Sequence, residues 1–567
     1  MPSSLESSAG VSAARRLVET LVVNGVTHVF CVPGESYLAV LDALHDFRRE
    51  IEVIVCRHET AAANMAVAYG KLTGKPGVCF VTRGPGATQA SVGVHTAQQD
   101  STPMILFIGQ VARSDIGRGA FQEVDYPAMF GTLSKLALQI DDPRRVVEIT
   151  TRAFATALQG RHGPVVVALP EDMLIEDAGP VAPTRVSVAE TGVDPRVLPP
   201  LTERLEAAQR PLLILGGSGW SRPSLHALAD WAQRMSLPVL LSFRRKDLFD
   251  NTHPCYAGDL GLGPNPRLIE RVRSADLLIA IGARLGESAT QGYTLLSAAD
   301  TRQKLVQFHA DPAELNRVWP AALASVASVS SAAFALAGLS VRRSWPQWLA
   351  DARADLEAFS APVPVTGTVN LSEVFVHLAR ALPADAIVCN GAGNYAAWLH
   401  RYYRHRGFGT QLAPTSGAMG FGFPAAIAAK LIHPERTVVA VAGDGSFLMA
   451  AQELATAVQY GVNVITMVID NASYGTIRMH QEREYPGRVS ATDLRNPDFA
   501  SFARSFGAWA ATVERTEELP AVLEGALSAG RPALIHVKTS LADILPGRTL
   551  AGAGSVGATA PAASAAG

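Results

Sequence analysis

The sequence predicts an α/β protein built from three doubly wound parallel-sheet domains, and three observations carry that prediction. Short apolar runs alternate with helical patterns along all 567 residues, the pattern of βαβ units that form parallel sheets. Two irregular, Pro-rich stretches, around 180–200 and 359–370, divide the alternation into three blocks of similar size. Charged residues make up 18% of the chain and hydrophobic residues 48%, with a mean hydropathy of +0.16. Ordinary soluble domains carry roughly 25% charged residues, so this chain must bury much apolar surface. No apolar run reaches the about 18 residues of a membrane-spanning helix.

The first block, residues 1–185, contains the runs VTHVFCV (26–32), IEVIVC (51–56), GVCFVT (77–82), MILFIG (104–109) and PVVVALP (164–170), with a helical stretch from Thr60 to Leu72. The second, 186–345, repeats the pattern with PLLILGG (211–217), LPVLLSF (237–243), ADLLIAIGA (275–283) and KLVQFHAD (304–311). The third, 365–546, adds AIVCNG (386–391), TVVAVAG (437–443), VNVITMVID (462–470) and ALIHVKT (533–539). Residues 547–567 are rich in Gly, Ala and Ser and predict a flexible tail. No repeat with a period of 20 to 50 residues is present.

Composition narrows the function. The 49 basic and 51 acidic residues give a net charge of −2, which offers no basic footprint for nucleic acid. Five widely spaced cysteines (Cys31, Cys56, Cys79, Cys255, Cys389) form no C-x-x-C pair. They fit neither a disulfide framework nor a zinc site, and a reducing, cytoplasmic setting is expected. The first residues, MPSSLESSAGVSAARR, lack the apolar region of a secretory signal.

The most informative stretch runs from 438 to 475. An apolar strand ends in Gly443-Asp444-Gly445-Ser446, a helix follows to near Gly461, and a second apolar strand ends in Asp470-Asn471. In a βαβ unit both strands present their C-terminal ends on one sheet edge. Adjacent strands lie about 4.8 Å apart, so Asp444 and Asn471 can converge on one ion. Their hard oxygen ligands suit Mg2+, which completes its octahedron with phosphate oxygens and water. Gly443 and Gly445 let the backbone approach a diphosphate, and the N–H groups after them, at Ser446, face it.

Gly443-Asp444-Gly445 followed at this spacing by Asn471 resembles the signature of thiamine diphosphate (ThDP) enzymes, in which an Asn usually precedes the second Asn; here that residue is Asp470. The resemblance implies metal ligation by Asp444, Asn471 and the carbonyl of Ser473. A ThDP enzyme also needs a Glu in a largely apolar setting, to hydrogen-bond a pyrimidine nitrogen and so let the cofactor's own amino group act as base. Arg57-His58-Glu59 opens an Ala-rich helix and is similar to the activating segment of the acetolactate synthase branch. The likeness extends from about residue 12 to 545 and includes Val32-Pro33-Gly34, Gly84-Pro85-Gly86, Gly109-Gln110-Val111, Ala120-Phe121-Gln122-Glu123 and Gly420-Phe421-Gly422.

That resemblance implies that the first domain binds the pyrimidine, the second occupies the centre, and the third binds the diphosphate. It implies further that two chains of a homodimer or homotetramer build each site, Glu59 of one acting on the cofactor held by Asp444 of the other. By the same likeness Pro33 and Gly86 contact the cofactor, Met419 wedges under it, and the Gly417 carbonyl receives its amino group. Gly393-Asn394 stand where the family contacts the diphosphate. Phe121, Gln122 and Lys135 keep the family pattern of a loop that closes over the substrate.

The pattern also departs from the family. The branch's Arg-Phe-Asp-Asp-Arg tract, which belongs to an FAD site, reads Arg284-Leu285-Gly286-Glu287-Ser288. Glycines at Gly216-Gly217 and Gly282 serve either a bound FAD or plain tight turns. Near the substrate, Thr476 and His480 replace a Met and an aromatic residue, while Arg83 and Glu35 bring charge that would favour a bulkier or more polar acceptor if turned inward. The expected activity is ThDP- and Mg2+-dependent carboligation of 2-oxo acids, most like acetolactate synthase. Alternatives are a 2-oxo acid decarboxylase, a 2-hydroxyacyl lyase or an inactive ThDP-binding regulatory paralogue. The sequence is silent on a regulatory subunit.

Overall fold

The computed structural model describes residues 10–550; most of the tail expected from 547 onward lies outside them. Three six-stranded sheets are present and every strand pairing within them is parallel. The first holds β1 (His28–Cys31), β2 (Glu52–Val55), β3 (Gly77–Val81), β4 (Met104–Gln110), β5 (Leu136–Gln139) and β6 (Pro164–Pro170), in the order β2-β1-β3-β4-β6-β5. The second holds β7 (Pro211–Leu215), β8 (Val239–Leu241), β9 (Tyr256–Asp259), β10 (Leu277–Ile281), β11 (Leu305–His309) and β12 (Leu323–Val326), ordered β12-β11-β10-β7-β8-β9. The third holds β13 (Ile387–Asn390), β14 (Gln411–Leu412), β15 (Val438–Gly443), β16 (Ile465–Asp470), β17 (Trp509–Val513) and β18 (Ala533–Lys538), ordered β14-β13-β15-β16-β18-β17. The first and third sheets therefore share one strand order, although no short-period repeat shows in the sequence. The central sheet, read from its other edge, has the order of dinucleotide-binding folds.

Each apolar run of the sequence becomes a strand, and the central ones are buried on both faces, as in β4 and β6. The structure adds strands the runs do not mark: β5, β9, β12, β14 and β17. A helix, Pro346–Phe359, packs Leu356 and Trp348 on the central core. The helix expected from Asp444 to near Gly461 is broken. Asp444–Leu448 ends after one turn, a 3-10 turn follows at Ala451–Glu453, and Leu454–Gln459 resumes. The break lets Phe447 and Leu454 both enter the core while the Glu453 carboxylate accepts the Arg57 N–H at 3.0 Å.

The outer domains are joined through two Ala-rich helices. Glu59–Thr73 is capped by the His58 side chain, which accepts the Thr60 N–H at 3.1 Å, and by Gly74 at φ +70°. Its residues from Ala61 to Gly70 are all buried. Helix Gly422–Ile432, equally small-sided, packs against it, and one apolar core runs through both sheets. Small side chains bring these helices close, and shape matching over a large area supplies the adhesion. A buried ion pair reinforces the joint: Lys71 Nζ lies 2.7 Å from Asp100 and donates to the Ala413 carbonyl at 2.6 Å, while Asp100 accepts the Thr415 N–H at 2.6 Å.

Removing one member of a buried pair leaves the other charge unpaired, at a cost of about 3–5 kcal/mol. Asp100→Ala should therefore lower the urea unfolding midpoint by that equivalent. A loss below about 1 kcal/mol would show that the carbonyl and water suffice for Lys71.

Candidate active site

The parallel register of β15 and β16 pairs Gly443 with Ile469, so Asp444 and Asp470 leave the sheet side by side. A cavity of about 570 Å3 opens at this edge. Asp444, Asn471 and Ser473 line it, together with Gly443, Gly445 and Ser446. Gly393 and Asn394 from the loop after β13, and Gly417 and Met419 from the loop after β14, line it too. The fold thus brings ten residues singled out in the sequence, from four loops, to one space.

Two glycines meet neighbouring rings closely, Gly445 more severely than Gly443. A Cβ on Gly445 would stand 2.6 Å from the Tyr474 ring, and one on Gly443 would stand 3.1 Å from Tyr395. Gly417, at φ +71°, faces open space. Ser446 Oγ accepts the Gly420 N–H at 3.0 Å, and Asn394 Oδ1 accepts the Thr476 hydroxyl at 2.9 Å. The loop after β16 is strained at Ala472, φ +53°. It is held by Asn471 Oδ1, which accepts the Ser473 N–H at 3.2 Å, and by the Tyr474 N–H on the Thr492 carbonyl at 2.9 Å.

A polar chain behind the cavity orients Asp444. Its Oδ1 accepts the Gly445 N–H at 2.9 Å and its Oδ2 accepts Asn496 Nδ2 at 2.8 Å. Asn496 Nδ2 also reaches Asp470 at 2.7 Å, and Asp470 meets His536 Nε2 at 2.9 Å. Burial and the nearby Asp470 carboxylate push Asp444 upward. Burial would raise Asp470 as well, but His536, the Ala472 N–H and Asn496 hold it below the usual carboxylate range. Among the described residues no group of three or more His, Cys, Asp or Glu could hold a metal alone. One carboxylate, one amide and one carbonyl is instead a partial oxygen set, which fits a Mg2+ completed by phosphate oxygens and water.

The remaining predicted residues gather on the first sheet and do not line this cavity. Glu59 is half-buried, and its Oε1 lies 3.5 Å from where a Cβ on Gly86 would stand. Pro33 lies on the loop after β1, where the following Gly34 abuts Thr82. Gln122 adopts φ +64°, crowds Gly84, and leaves its buried Oε1 without a partner. Phe121 is 74% exposed. Arg83 and Glu35 do not offer free charge. Arg83 pairs with Glu171 at 3.1 Å and Glu35 at 3.4 Å, and donates to the Phe121 carbonyl at 3.3 Å. Lys135 is engaged elsewhere, donating to the carbonyls of Thr156, Gln159 and Arg161 at 2.5–2.8 Å. Burial draws it down to about 8.

In the central domain the glycine turns meet at the switch between β7 and β10. A Cβ on Gly217 would stand 2.4 Å from the Gly282 carbonyl, and one on Gly282 would stand 2.6 Å from that of Gly216. Trp220 Nε1 donates to the Gly216 carbonyl at 2.8 Å, and Arg245 donates to that of Gly217. Arg284 pairs with Glu314 at 3.1 Å. These contacts account for the glycines by packing alone, although Arg284 Nε is buried without a hydrogen-bond partner.

Sequence reasoning missed Asn496 and His536. Only the Asn496-Pro497 step, a turn signal, marks either of them. Because Asn496 separates two buried carboxylates, Asn496→Ala should destabilise the metal-free protein by about 2 kcal/mol at neutral pH, read from its unfolding midpoint. A change under about 0.5 kcal/mol would mean that the carboxylates do not depend on that amide.

Comparison with known proteins agrees with this geometry. Family models for thiamine pyrophosphate enzymes match in three parts: the N-terminal TPP binding domain at residues 11–129, the central domain at 199–336 and the C-terminal TPP binding domain at 391–537. The acetolactate synthase large subunit of Parasynechococcus marenigrum (strain WH8102) is 35% identical over 543 residues, covering 93% of this chain and 87% of that protein. The acetolactate synthase isozyme 2 large subunit of Escherichia coli (strain K12) is 31% identical, covering 93% and 95%. The acetolactate synthase large subunit of Haemophilus influenzae is 32% identical, covering 91% and 92%. With the three-sheet fold and the cavity at the ends of β15 and β16, these matches show that the chain belongs to the thiamine diphosphate-dependent enzyme family, in its acetolactate synthase-like branch.

Proposed function

We propose that the protein is a ThDP- and Mg2+-dependent carboligase acting on 2-oxo acids, most like acetolactate synthase, which joins two pyruvates to give 2-acetolactate and CO2. The observation that carries this reading is the convergence of Asp444, Asn471 and the glycine cradle on one cavity. Bound ThDP supplies the nucleophilic carbon and the electron sink for loss of CO2. The chain's residues do the rest. Asp444, Asn471 and the Ser473 carbonyl hold the cation. Gly443, Gly445 and Ser446, with Gly393 and Asn394, hold the diphosphate. Met419 and the Gly417 carbonyl fix the orientation of the pyrimidine. Glu59 exchanges a proton at the pyrimidine nitrogen N1′, and Gln122 and Phe121 close over the substrate.

Glu59 lies outside the cavity of its own chain, so a second copy supplies it, in a homodimer or larger homo-oligomer. Exposed Leu448, Met449 and Phe121 beside these segments support that assembly. Thr476 and His480 line the cavity and give its wall polar character. That feature favours the second reading, a decarboxylase or lyase with a more polar substrate. The packed glycine turns favour a central domain without FAD, and the dispersed cysteines a cytoplasmic setting.

Incubation with pyruvate, ThDP and Mg2+ should yield acetolactate; consumption of other oxo acids without it would select the second reading. Glu59→Gln should lower turnover about 10²–10⁴-fold while ThDP binding, followed by fluorescence quenching, persists. Retained turnover would remove Glu59 from the mechanism. The purified protein should lack a visible flavin band, and the appearance of one would overturn the FAD-free assignment.

A further inference from the structure

Arg244 stands in the loop after β8, between the central domain and the cavity. It is 3% exposed and lines the cavity together with Phe243, Leu262 and Ser288. Among the described residues lining that space, it is the one arginine or lysine. Its φ of +58° places a side-chain-bearing residue in the left-handed region, a conformation that persists where surrounding structure enforces it and that clusters at functional sites.

The guanidinium is poorly satisfied. One nitrogen donates to the Pro414 carbonyl and the group lies 4.8 Å over the Phe243 ring. Nε is buried without a partner. No carboxylate among the described residues forms an ion pair with it, and Asp100, whose charge it feels, is already held by Lys71 and the Thr415 N–H. Burial draws Arg244 down to about 10, so it stays cationic at neutral pH. A buried charge without a partner is costly, and a planar fork of donors suits a carboxylate.

We propose that Arg244 is the anchor for the carboxylate of a 2-oxo acid in this cavity. The inference rests on the proposed 2-oxo acid chemistry and adds the residue that selects the anion. Phe243 and Leu262 provide apolar surface for the carbon chain beside that anchor. Ser288, also lining the cavity, offers a hydroxyl and no charge. The loop that bears it belongs to a different domain from the Gly443–Ser446 segment, which separates carboxylate from diphosphate recognition.

The test is calorimetric binding of oxamate, a non-reacting 2-oxo acid mimic, to the full chain loaded with ThDP and Mg2+. Oxamate should bind, its neutral amide oxamide should bind at least about tenfold more weakly, and Arg244→Met should weaken oxamate at least about tenfold with ThDP affinity unchanged within about twofold. Arg244→Lys should recover part of the loss. No oxamate binding, equal binding of oxamide, or an unaltered Arg244→Met would overturn the proposal. So would a loss confined to ThDP affinity, which would assign Arg244 to the diphosphate. If Arg244→Met does not fold, the oxamate–oxamide comparison on the unmodified protein decides. Oxamate binding through Arg244 without turnover of any oxo acid would sink the proposed function and leave this site standing; turnover with an indifferent Arg244 would do the reverse.

Discussion

The parallel register of the C-terminal sheet is the constraint on which the site depends. Because β13, β15, β16 and β18 run the same way, their C-terminal loops emerge on one edge. A shift of one residue between β15 and β16 would carry Asp444 away from Asp470 and turn it to the opposite face. The continuous apolar composition of these strands does not set that register by itself. Gly443 and Gly445 add a local constraint, since the rings of Tyr395 and Tyr474 lie where their side chains would stand. The glycines that line the cavity are thus also packing residues.

The chain handles its charges locally. Its net charge is −2, yet the interior holds Asp444, Asp470, Lys71, Asp100 and Arg244, each in a small private environment. Asn496 donates to both carboxylates of a close pair, and His536 to Asp470 alone. Lys71 and Asp100 neutralise each other at a domain joint. Arg244 differs from these in having no carboxylate of its own. Such local matching explains why overall composition says little about the ligands of this protein.

Elements with long apolar runs could be read directly, since burial on both faces leaves only one kind of side chain. The edge strands β5, β9, β12, β14 and β17 could not. They are short or half-solvated, as LALQ at 136–139 and WAATV at 509–513 show. The Gly443–Ser446 and Asp470–Ser473 segments were legible because their spacing encodes a βαβ unit. Asn496 and His536 were not, because each reaches the site from another part of the chain and carries no local pattern beyond the Asn496-Pro497 turn signal. Arg83 and Glu35 looked like free charge for a substrate; the fold pairs Arg83 with both Glu35 and Glu171, contacts no sequence pattern displays. Lys135 fitted a loop motif but closes a helix end instead. Arg244 sits in a basic run, Arg244-Arg245-Lys246, that is buried.

The Ala-rich contact between Glu59–Thr73 and Gly422–Ile432 has a consequence for biogenesis. The first domain leaves the ribosome with that helix face uncovered, and its covering segment is synthesised only after the entire central domain. A contact of such sequence separation closes late and slowly. Until then the nascent chain exposes a strip of small apolar residues. The central domain, with cores of its own, is free to fold in the interval. Once closed, the outer domains share one core and should melt as a single cooperative unit distinct from the centre, so a single two-state unfolding energy would not describe the whole chain.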